Sequence, residues 1–382
     1  MSTTANAKTL ALPPADKAVV AAVLVLAAVG VAAVYSAIAF MAETRSDGDA
    51  ERFLLKHLLR VGLALGAVGV CSFVDYRTLA RLSKPLLVGA LGLLAAVQVV
   101  GVASGGATRW LELGPISFQP SDFAKVALLL HVAVLLAKKQ PYVEDFHRAY
   151  VPLLVWIGPT LLLIGVENLS TAAVLLASVG VMLFVGRVRV LHLLGTGAIF
   201  AVLAVLLLLS SPQRAARIES FLGIKIFPNT EHAEVFDAQE EGYQAEQARI
   251  AFAMGGLTGV GPGHSVQRDF LPAPYNDFIF AIIAEEYGLL GATALLLVFV
   301  YLLLRGYLRI ARGAPDPLGL FLATGLTTAV VLYGFVNAAV ASGLFPVTGL
   351  PMPFVSYGGT SMLATGAMVG ILLNISRHAR DA

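Results

Sequence analysis

The residues that could do chemistry begin with a carboxylate at the border of an apolar segment. Asp277 stands where a proline-containing approach gives way to a long apolar run, and Glu285 and Glu286 follow inside that run. A carboxylate at such a border can face water and still have a partly desolvated surrounding, which suits a general base. Asp is also common as the N-cap of a helix. Both interpretations of Asp277 are open, and they are compatible.

A second group of polar residues lies earlier in the chain. Asp122 and Lys125 follow Pro120-Ser121, a pair that can open a helix, and they are three residues apart on one helical face. This spacing favours an ion pair, which either orients two helices or takes part in catalysis. Arg109 beside Trp110 is either an anchor at the membrane interface or a phosphate clamp, because the planar guanidinium matches phosphate oxygens.

A third stretch, 343–361, is rich in glycine, proline and hydroxyl groups, among them Ser356 and Tyr357. Irregular backbone at membrane depth is tolerated only where it is buried in protein or lines a wet cavity. The hydroxyls of this stretch could bind a sugar or a diphosphate, although a single Ser can equally serve a local turn.

The composition indicates that membrane helices position these groups. The chain has 382 residues, of which 58% are hydrophobic and 13% charged, with a mean hydropathy of +0.81. Soluble domains carry about 25% charged residues. Cys71 is the single cysteine, so an internal disulfide and a thiolate metal cluster are excluded. The net charge of +2 gives no reason to expect a nucleic-acid partner.

Runs of about 20 apolar residues predict an all-α polytopic membrane protein that forms one integral membrane domain over 1–382. The ten predicted transmembrane helices are 17–41, 55–74, 85–103, 118–137, 150–166, 170–187, 190–210, 276–304, 318–342 and 360–376. Lys and Arg gather in one set of connections, which the positive-inside rule makes cytoplasmic, together with both termini. Asp277 then faces outward, and a large extracytoplasmic loop, 211–275, joins helices 7 and 8.

The large loop carries an acidic run and ends in a glycine-rich piece, 255–264. An acidic run is usually a solvated face. The glycines do not form a phosphate-binding loop, because no Gly-Lys-Ser/Thr follows them. We predict that this piece is a flexible lid or a loop that faces the substrate.

Four motifs together resemble one family. They are R-W-x-x-L-G-x-x-x-F-Q-P-S-D-F-A-K (109–125), G-Y-Q (242–244), F-L-P-A-P-Y-N-D-F-I-F-A-I-I-A-E-E-Y-G (270–288) and G-L-F-P-V-T-G-L-P-M-P-F-V-S-Y-G-G-T-S (343–361). They resemble the signatures of SEDS proteins, the peptidoglycan glycosyltransferases of shape, elongation, division and sporulation. The stretches 217–222 and 261–268 are more similar to the division member than to the elongation member.

The resemblance implies a ten-helix enzyme that polymerises lipid II at the outer face of the bacterial cytoplasmic membrane, in septal wall synthesis during cell division. It puts the essential acid of the family on Asp277, and the family's Glu-x-x-Lys pair on Asp122 and Lys125, with Asp in place of Glu. The substrate-binding residues that it implies are Arg109, Trp110, Asp122, Lys125, Gln244, Gln247, Ser356 and Tyr357. Where the family often has Pro-Asp-Leu-Gly-Thr, this chain has Glu-Asn-Leu-Ser-Thr (167–171), which weakens a cation-ligand role for that turn.

The chemistry of glycosyl transfer agrees with these residue types. A sugar hydroxyl is a weak acid, so Asp277 would take its proton as the new bond forms. The leaving diphosphate needs cations, which Arg109, Lys125 and Arg249 or a bound Mg²⁺ or Mn²⁺ could supply. Hard cations prefer oxygen ligands, and Asp277 could supply one, but no multi-carboxylate cluster in the sequence establishes a metal site.

The resemblance also implies partners. These are lipid II, the growing glycan, membrane lipid, a class B penicillin-binding protein as transpeptidase, and other divisome proteins. Two other functions stay open at this point, a flippase for lipid II and a non-catalytic scaffold for division proteins. Polar groups gathered on the outward side favour the enzyme, whereas charges along a through-path would favour the flippase.

Overall fold

The structure is a computed structural model that describes residues 14–44, 50–104, 107–113, 116–224 and 235–379. The helices are α1 (Lys17–Thr44), α2 (Ala50–Phe73), α3 (Tyr76–Arg81), α4 (Ser83–Val100), α5 (Pro120–Lys139), α6 (Val151–Glu167), α7 (Leu169–Val185), α8 (Val190–Leu209), α9 (Pro212–Leu222), α10 (Val235–Gly255), α11 (Ile279–Leu304), α12 (Pro317–Ala341) and α13 (Thr360–His378). Short 3-10 turns at Gln140–Tyr142 and Gln267–Asp269 and π-helical turns at Phe146–Tyr150 and Arg305–Ala311 complete the helical part.

The centre of the bundle is formed by α5 and α12, most of whose residues are buried. The outermost helix, α8, is apolar all round and none of its residues is buried. An apolar helix with an exposed surface is stable only in an apolar surrounding, which here is lipid. Among the described residues, eight helices are long and apolar enough to cross a membrane, so the protein is a polytopic helical membrane protein.

Helices cover the main part of all ten predicted spans. Eight of these helices are among those that are long and apolar enough to cross a membrane. The sixth span forms α7, which is shorter, with 17 residues. The tenth forms α13, which is less apolar and carries polar residues such as Asn374. The described helices therefore support membrane insertion without fixing the number of crossings.

A small antiparallel sheet departs from the all-α prediction. Its strands are β1 (Val102–Ser104), β2 (Ala107–Leu113) and β3 (Ile116–Phe118), in the order β1-β2-β3. The predicted span 85–103 ends early, at Val100, because the chain turns into β1. Gly-Gly and Gly-Pro pairs separate the strands in the sequence, and such pairs are typical of tight turns between strands. Arg109 and Trp110 lie on β2.

The predicted extracytoplasmic loop 211–275 also contains regular structure, namely α9 and α10. Of its acidic run, Glu231 and Glu234 lie outside the described residues. The predicted loop therefore contains two helices. The sequence analysis did not predict α10, because this helix is polar over most of its length and lacks an apolar run.

The glycine-rich piece 255–264 differs from the expected flexible lid, because it is hydrogen-bonded to α11. Val260 and Gly261 donate their backbone N–H groups to the backbone carbonyls of Glu285 and Glu286, at 2.9 and 3.0 Å. The buried Glu285 carboxylate accepts from Ser265 Oγ at 2.5 Å and from the next two backbone N–H groups. The two glutamates thus hold the approach to Asp277 against α11.

Candidate active site

One cavity of about 360 Å³ brings together residues from distant parts of the chain. Its wall includes charged and polar side chains of α2, β2, β3, α5, α7 and α12, the turn before α11, and the segment 349–361. The residues in this wall that the sequence singled out are Trp110, Asp122, Lys125, Asp277 and Tyr357. The sequence thus predicted five of the side chains that meet here.

Asp277 lies in the turn that precedes α11 and is half-buried in the cavity wall. It does not cap the helix, because Phe278 is the N-cap and no side chain makes a capping hydrogen bond there. Within the described residues, no group donates a hydrogen bond to the Asp277 carboxylate or pairs with it. Both of its oxygens are therefore available to a substrate.

Burial raises the pKa of Asp277 from 3.8 to about 6. The nearby guanidinium groups of Arg109 and Arg217 act in the opposite direction, and burial is the larger effect. A carboxylate with such a pKa is mostly ionised at neutral pH, and it is a stronger base than an ordinary aspartate. These are the properties that a general base needs.

The position of Asp277 is fixed by a residue that sequence reasoning missed. Asn337 in α12 is buried, and its side-chain amide donates to the backbone carbonyl of Asp277 at 2.9 Å and to that of Leu350 at 2.8 Å. These two bonds tie α12 to the turn before α11 and to the segment 343–361, which we call the cover segment. A polar side chain inside an apolar helix was the available signal.

Asp122 and Lys125 form the predicted ion pair, with 2.8 Å between Asp122 Oδ1 and Lys125 Nζ. Both residues are buried, with exposed fractions of 6% and 3%. Thr360 Oγ1 donates to the other carboxylate oxygen at 2.6 Å, which joins α5 to the start of α13. Lys125 Nζ also lies 4.6 Å from the centre of the Tyr333 ring. The pair therefore connects α5 to α13 and α12 at the cavity wall.

Arg109 is held beside the cavity by the end of α6. Its Nε donates to the backbone carbonyl of Glu167 at 2.9 Å, and the carboxylate of Asp277 attracts it. Burial and the positive charges of Arg217 and Arg214 lower the pKa of Arg109. Three neighbouring guanidinium groups that repel one another make this side of the site attractive to an anion.

Tyr357 presents its ring to the cavity, and Arg60 lies on that ring with Cζ at 4.1 Å from its centre. Arg60 is a wall residue that sequence reasoning missed, although a cation inside an apolar helix marks a functional site by default. Ser356, in contrast, is 1% exposed, and its hydroxyl accepts from the backbone N–H of Met352 at 2.8 Å. It serves a turn in the cover segment.

Gln244 and Gln247 lie on α10 and are not among the residues that line this cavity. A second cavity, of about 470 Å³, lies between α9, α10 and the start of the cover segment, and Arg217 and Arg249 line it. The structure therefore separates the two glutamines from Asp277.

The cavity wall offers few carboxylate ligands for a metal ion, namely Asp122 and Asp277. Among the described residues, no group of three or more His, Cys, Asp or Glu side chains could hold a metal. Asp122 is already bonded to Lys125 and Thr360, so Asp277 is the free carboxylate of this wall. Hard cations prefer six or more oxygen ligands, so this donor set does not by itself fit Mg²⁺ or Mn²⁺.

The comparison with protein families decides the identity of the chain. Residues 16–381 match the family model of FtsW, RodA and SpoVE, described as cell cycle proteins. The chain belongs to this family, the SEDS glycosyltransferases. It is 38% identical over 369 residues to stage V sporulation protein E of Bacillus subtilis. This alignment covers 96% of this chain and 98% of that protein. It is 36% identical over 371 residues to the probable peptidoglycan glycosyltransferase FtsW of Geobacter sulfurreducens, with 96% of each chain covered.

Solved structures share the fold of this SEDS protein. A chain of a peptidoglycan synthase complex, described as coordinating polymerization and crosslinking, superimposes with a TM-score of 0.74 at 28% identity, over 95% of this chain and 98% of that one. The rod shape determining protein RodA of Thermus thermophilus gives a TM-score of 0.69 at 26% identity, over 96% and 98% of the two chains. The helical architecture is thus that of known SEDS proteins.

Proposed function

We propose that this protein polymerises lipid II into glycan strands at the outer face of the cytoplasmic membrane, in septal wall synthesis. Its family and its FtsW relatives support a peptidoglycan glycosyltransferase of cell division. The single observation that carries the mechanism is the unpaired, half-buried Asp277 carboxylate in a cavity bordered by cations.

The reaction follows from that geometry. A sugar hydroxyl of the acceptor lies next to Asp277, which takes its proton while the hydroxyl oxygen attacks the anomeric carbon of the donor. The bond between that carbon and the diphosphate oxygen breaks, and the polyprenyl diphosphate leaves with the electron pair. A single displacement of this kind inverts the anomeric centre. Arg109 and its arginine neighbours stabilise the charge that develops on the diphosphate.

Other wall residues have supporting roles. Trp110 offers a flat surface to the sugar rings or the lipid headgroup, and Tyr357 borders the substrate while its ring packs against Phe53 and Arg60. Asp122 with Lys125 forms part of the cavity wall. Gln244 and Gln247, away from this cavity, would bind the growing glycan beyond it. If a divalent cation takes part, substrate oxygens must complete its coordination shell beside Asp277, and we assign no step to it.

The membrane arrangement that fits this function has ten crossings, with α7 and α13 added to the eight long apolar helices. The basic residues of the connections then lie in the cytoplasm with both termini, and the cavity opens to the outside. The lipid tail stays in the bilayer while the disaccharide reaches Asp277. This arrangement lets the membrane position one end of the substrate.

A transpeptidase of the class B penicillin-binding type is the partner that this function requires, together with other divisome proteins. Crosslinking must follow polymerisation, and these 382 residues contain no Ser-x-x-Lys motif. The relative found in a peptidoglycan synthase complex supports such a pairing.

The test uses the purified protein with its transpeptidase partner and lipid II in detergent. We expect glycan strands from the wild type and a loss of at least a hundredfold with Asp277→Asn. Glu112→Gln is the matched control, because this exposed carboxylate on β2 is not part of the cavity wall. Synthesis of glycan strands by Asp277→Asn at the wild-type rate would contradict the role of Asp277 as the general base. Lipid II movement across liposomes without any polymer would support a flippase instead.

A further inference from the structure

Arg60 is a cation within the membrane-spanning part of α2. It lies nine residues after Glu51, which at 1.5 Å per residue is about 14 Å along the helix from the start of the span. The side chain is half-buried and lines the same cavity as Asp277. A cation at that depth is costly unless it has a partner or faces a wet cavity.

The guanidinium of Arg60 has no such partner in the part of the chain that the structure describes. Among the described residues, none forms a hydrogen bond or an ion pair with it, and its one specific contact is the Tyr357 ring. In contrast, Lys125 in the same wall is paired with Asp122. Stacking occupies a face of the guanidinium and leaves its N–H donors, which point outward in the plane, for a ligand.

The Tyr357 ring that supports Arg60 is itself held firmly. It stacks on Phe53 at 4.4 Å between ring centres and meets the Tyr275 ring edge-on at 5.3 Å. The backbone N–H of Tyr357 donates to the backbone carbonyl of Tyr275 at 2.8 Å. Because Tyr275 is two residues before Asp277, this cluster sets Arg60 at a fixed place relative to the carboxylate.

The surroundings of Arg60 suit a lipid rather than a soluble anion. Most of α2 is not buried, and Leu59 and Leu63, which flank Arg60 on the helix, have exposed fractions of 63% and 57%. An apolar chain could lie on this surface while its charged end meets the guanidinium. Planar recognition by two N–H groups matches phosphate oxygens well.

We propose that Arg60, supported by Tyr357, binds the diphosphate of a polyprenyl-linked substrate at the membrane side of the cavity. This inference rests on the proposed function and names the group that positions the lipid end of the substrate. Arg60 then holds the diphosphate from the side of the bilayer, and Arg109 lies near Asp277, where the bond breaks.

The experiment measures binding without turnover, with undecaprenyl diphosphate as the probe and the full chain in lipid nanodiscs. We expect Arg60→Gln to weaken the affinity at least tenfold and Arg60→Lys to recover part of it, because Lys keeps the charge without the planar fork. Lys56→Gln is the matched control, an exposed cation one turn away on the same helix that is absent from the cavity wall, and its affinity should stay within twofold. Undecaprenol, which lacks phosphate, should bind all variants equally weakly.

Two results would overturn the inference. One is wild-type affinity in Arg60→Gln, and the other is an equal loss of affinity for undecaprenol, which would indicate disturbed packing. Nanodiscs with and without phosphatidylglycerol separate the lipid sources, and displacement of the probe by this phospholipid would also count against a polyprenyl diphosphate site.

The failure of the inference differs from that of the proposed function. Glycan synthesis with unchanged probe binding by Arg60→Gln would remove only the role of Arg60. Arg60-dependent binding without any glycan synthesis would keep the lipid diphosphate site and remove the polymerase.

Discussion

The side-chain amide of Asn337 donates a hydrogen bond to the backbone carbonyl of Asp277 at 2.9 Å, so a buried residue of α12 fixes the turn that carries the candidate base. The same amide donates to Leu350 in the segment that covers the cavity. One side chain therefore sets the distance between the base and its cover, which links the central helix to catalysis through geometry rather than through contact with the substrate.

Asn337→Ala should reduce catalysis more than it reduces substrate binding. The change leaves two carbonyls without their donor, which costs roughly 1–3 kcal/mol of stability for each buried group. A displaced Asp277 loses its alignment with the hydroxyl, so we expect kcat to fall by about 10- to 100-fold with KM nearly unchanged. Polymerisation kinetics and thermal unfolding in detergent measure the two effects.

Asn374→Ala provides the control for a general loss of stability. Asn374 is also a buried asparagine that bonds the backbone, donating to Ser72 and accepting from Tyr76, both at 3.0 Å. It lies away from the cavity wall. The control should lower the Tm similarly while kcat stays high. Equal losses of kcat in both variants would contradict a positioning role for Asn337.

The pH dependence of polymerisation should report the environment of Asp277. Burial raises its pKa to about 6, and the base is active when ionised. Activity is therefore constant above that pH and lost as the pH falls through it, with kcat/KM decreasing about tenfold per pH unit below the pKa. A profile of kcat/KM between pH 5 and 8 measures this limb. Glu112→Gln should leave it in place, whereas an apparent pKa near 4 would contradict a desolvated base.

The sequence predicted the helices because long apolar runs leave few alternatives in a membrane. It also singled out Asp277 as a candidate base, because a carboxylate between a polar turn and an apolar run is unusual. It predicted the Asp122–Lys125 ion pair, because helical spacing determines which side chains meet. It missed the sheet at 102–118, since strands of three to seven residues carry little pattern of their own.

The parts of the site that the sequence could not provide depend on contacts between distant segments. The roles of Asn337 and Arg60 depend on the packing of α12 and α2 near the turn before α11, which a single sequence does not give. Ser356 looked like a ligand but faces the backbone of its own turn. The glycine-rich piece looked mobile, yet its glycines allow close approach to α11. Single-sequence reasoning gives the residue types and not these tertiary partners.

A charge-removal cycle should separate the structural from the catalytic role of the Asp122–Lys125 pair. Lys125→Met leaves a buried carboxylate without its cation, which destabilises by roughly 3–5 kcal/mol. The double variant with Asp122→Asn removes both charges, and we expect most of the Tm to return. We also expect polymerisation to recover, because the pair connects α5 and α13 at the cavity wall. Recovery of the Tm without activity would instead indicate direct catalysis by Lys125.

Gly288→Ala should loosen the approach to the active site. Gly288 lies at a kink of α11 with φ of 66°, and a Cβ there would come within 2.4 Å of the backbone N of Gly259. Both the left-handed backbone and the close approach oppose a side chain, so we expect at least 1–2 kcal/mol of destabilisation. Hydrogen exchange should increase in 255–269, the piece held by Glu285.

Gly180→Ala is the matched control for this change, since it lies in α7 and a Cβ there would meet nothing within 4 Å. Alanine is the better helix former by about 1 kcal/mol, so this variant should unfold at or slightly above the wild-type temperature. Asp277 lies eight residues after the end of the held piece at Asp269, and increased exchange in that piece should accompany a lower kcat. Unchanged exchange and Tm in Gly288→Ala would show that the piece is held independently of α11.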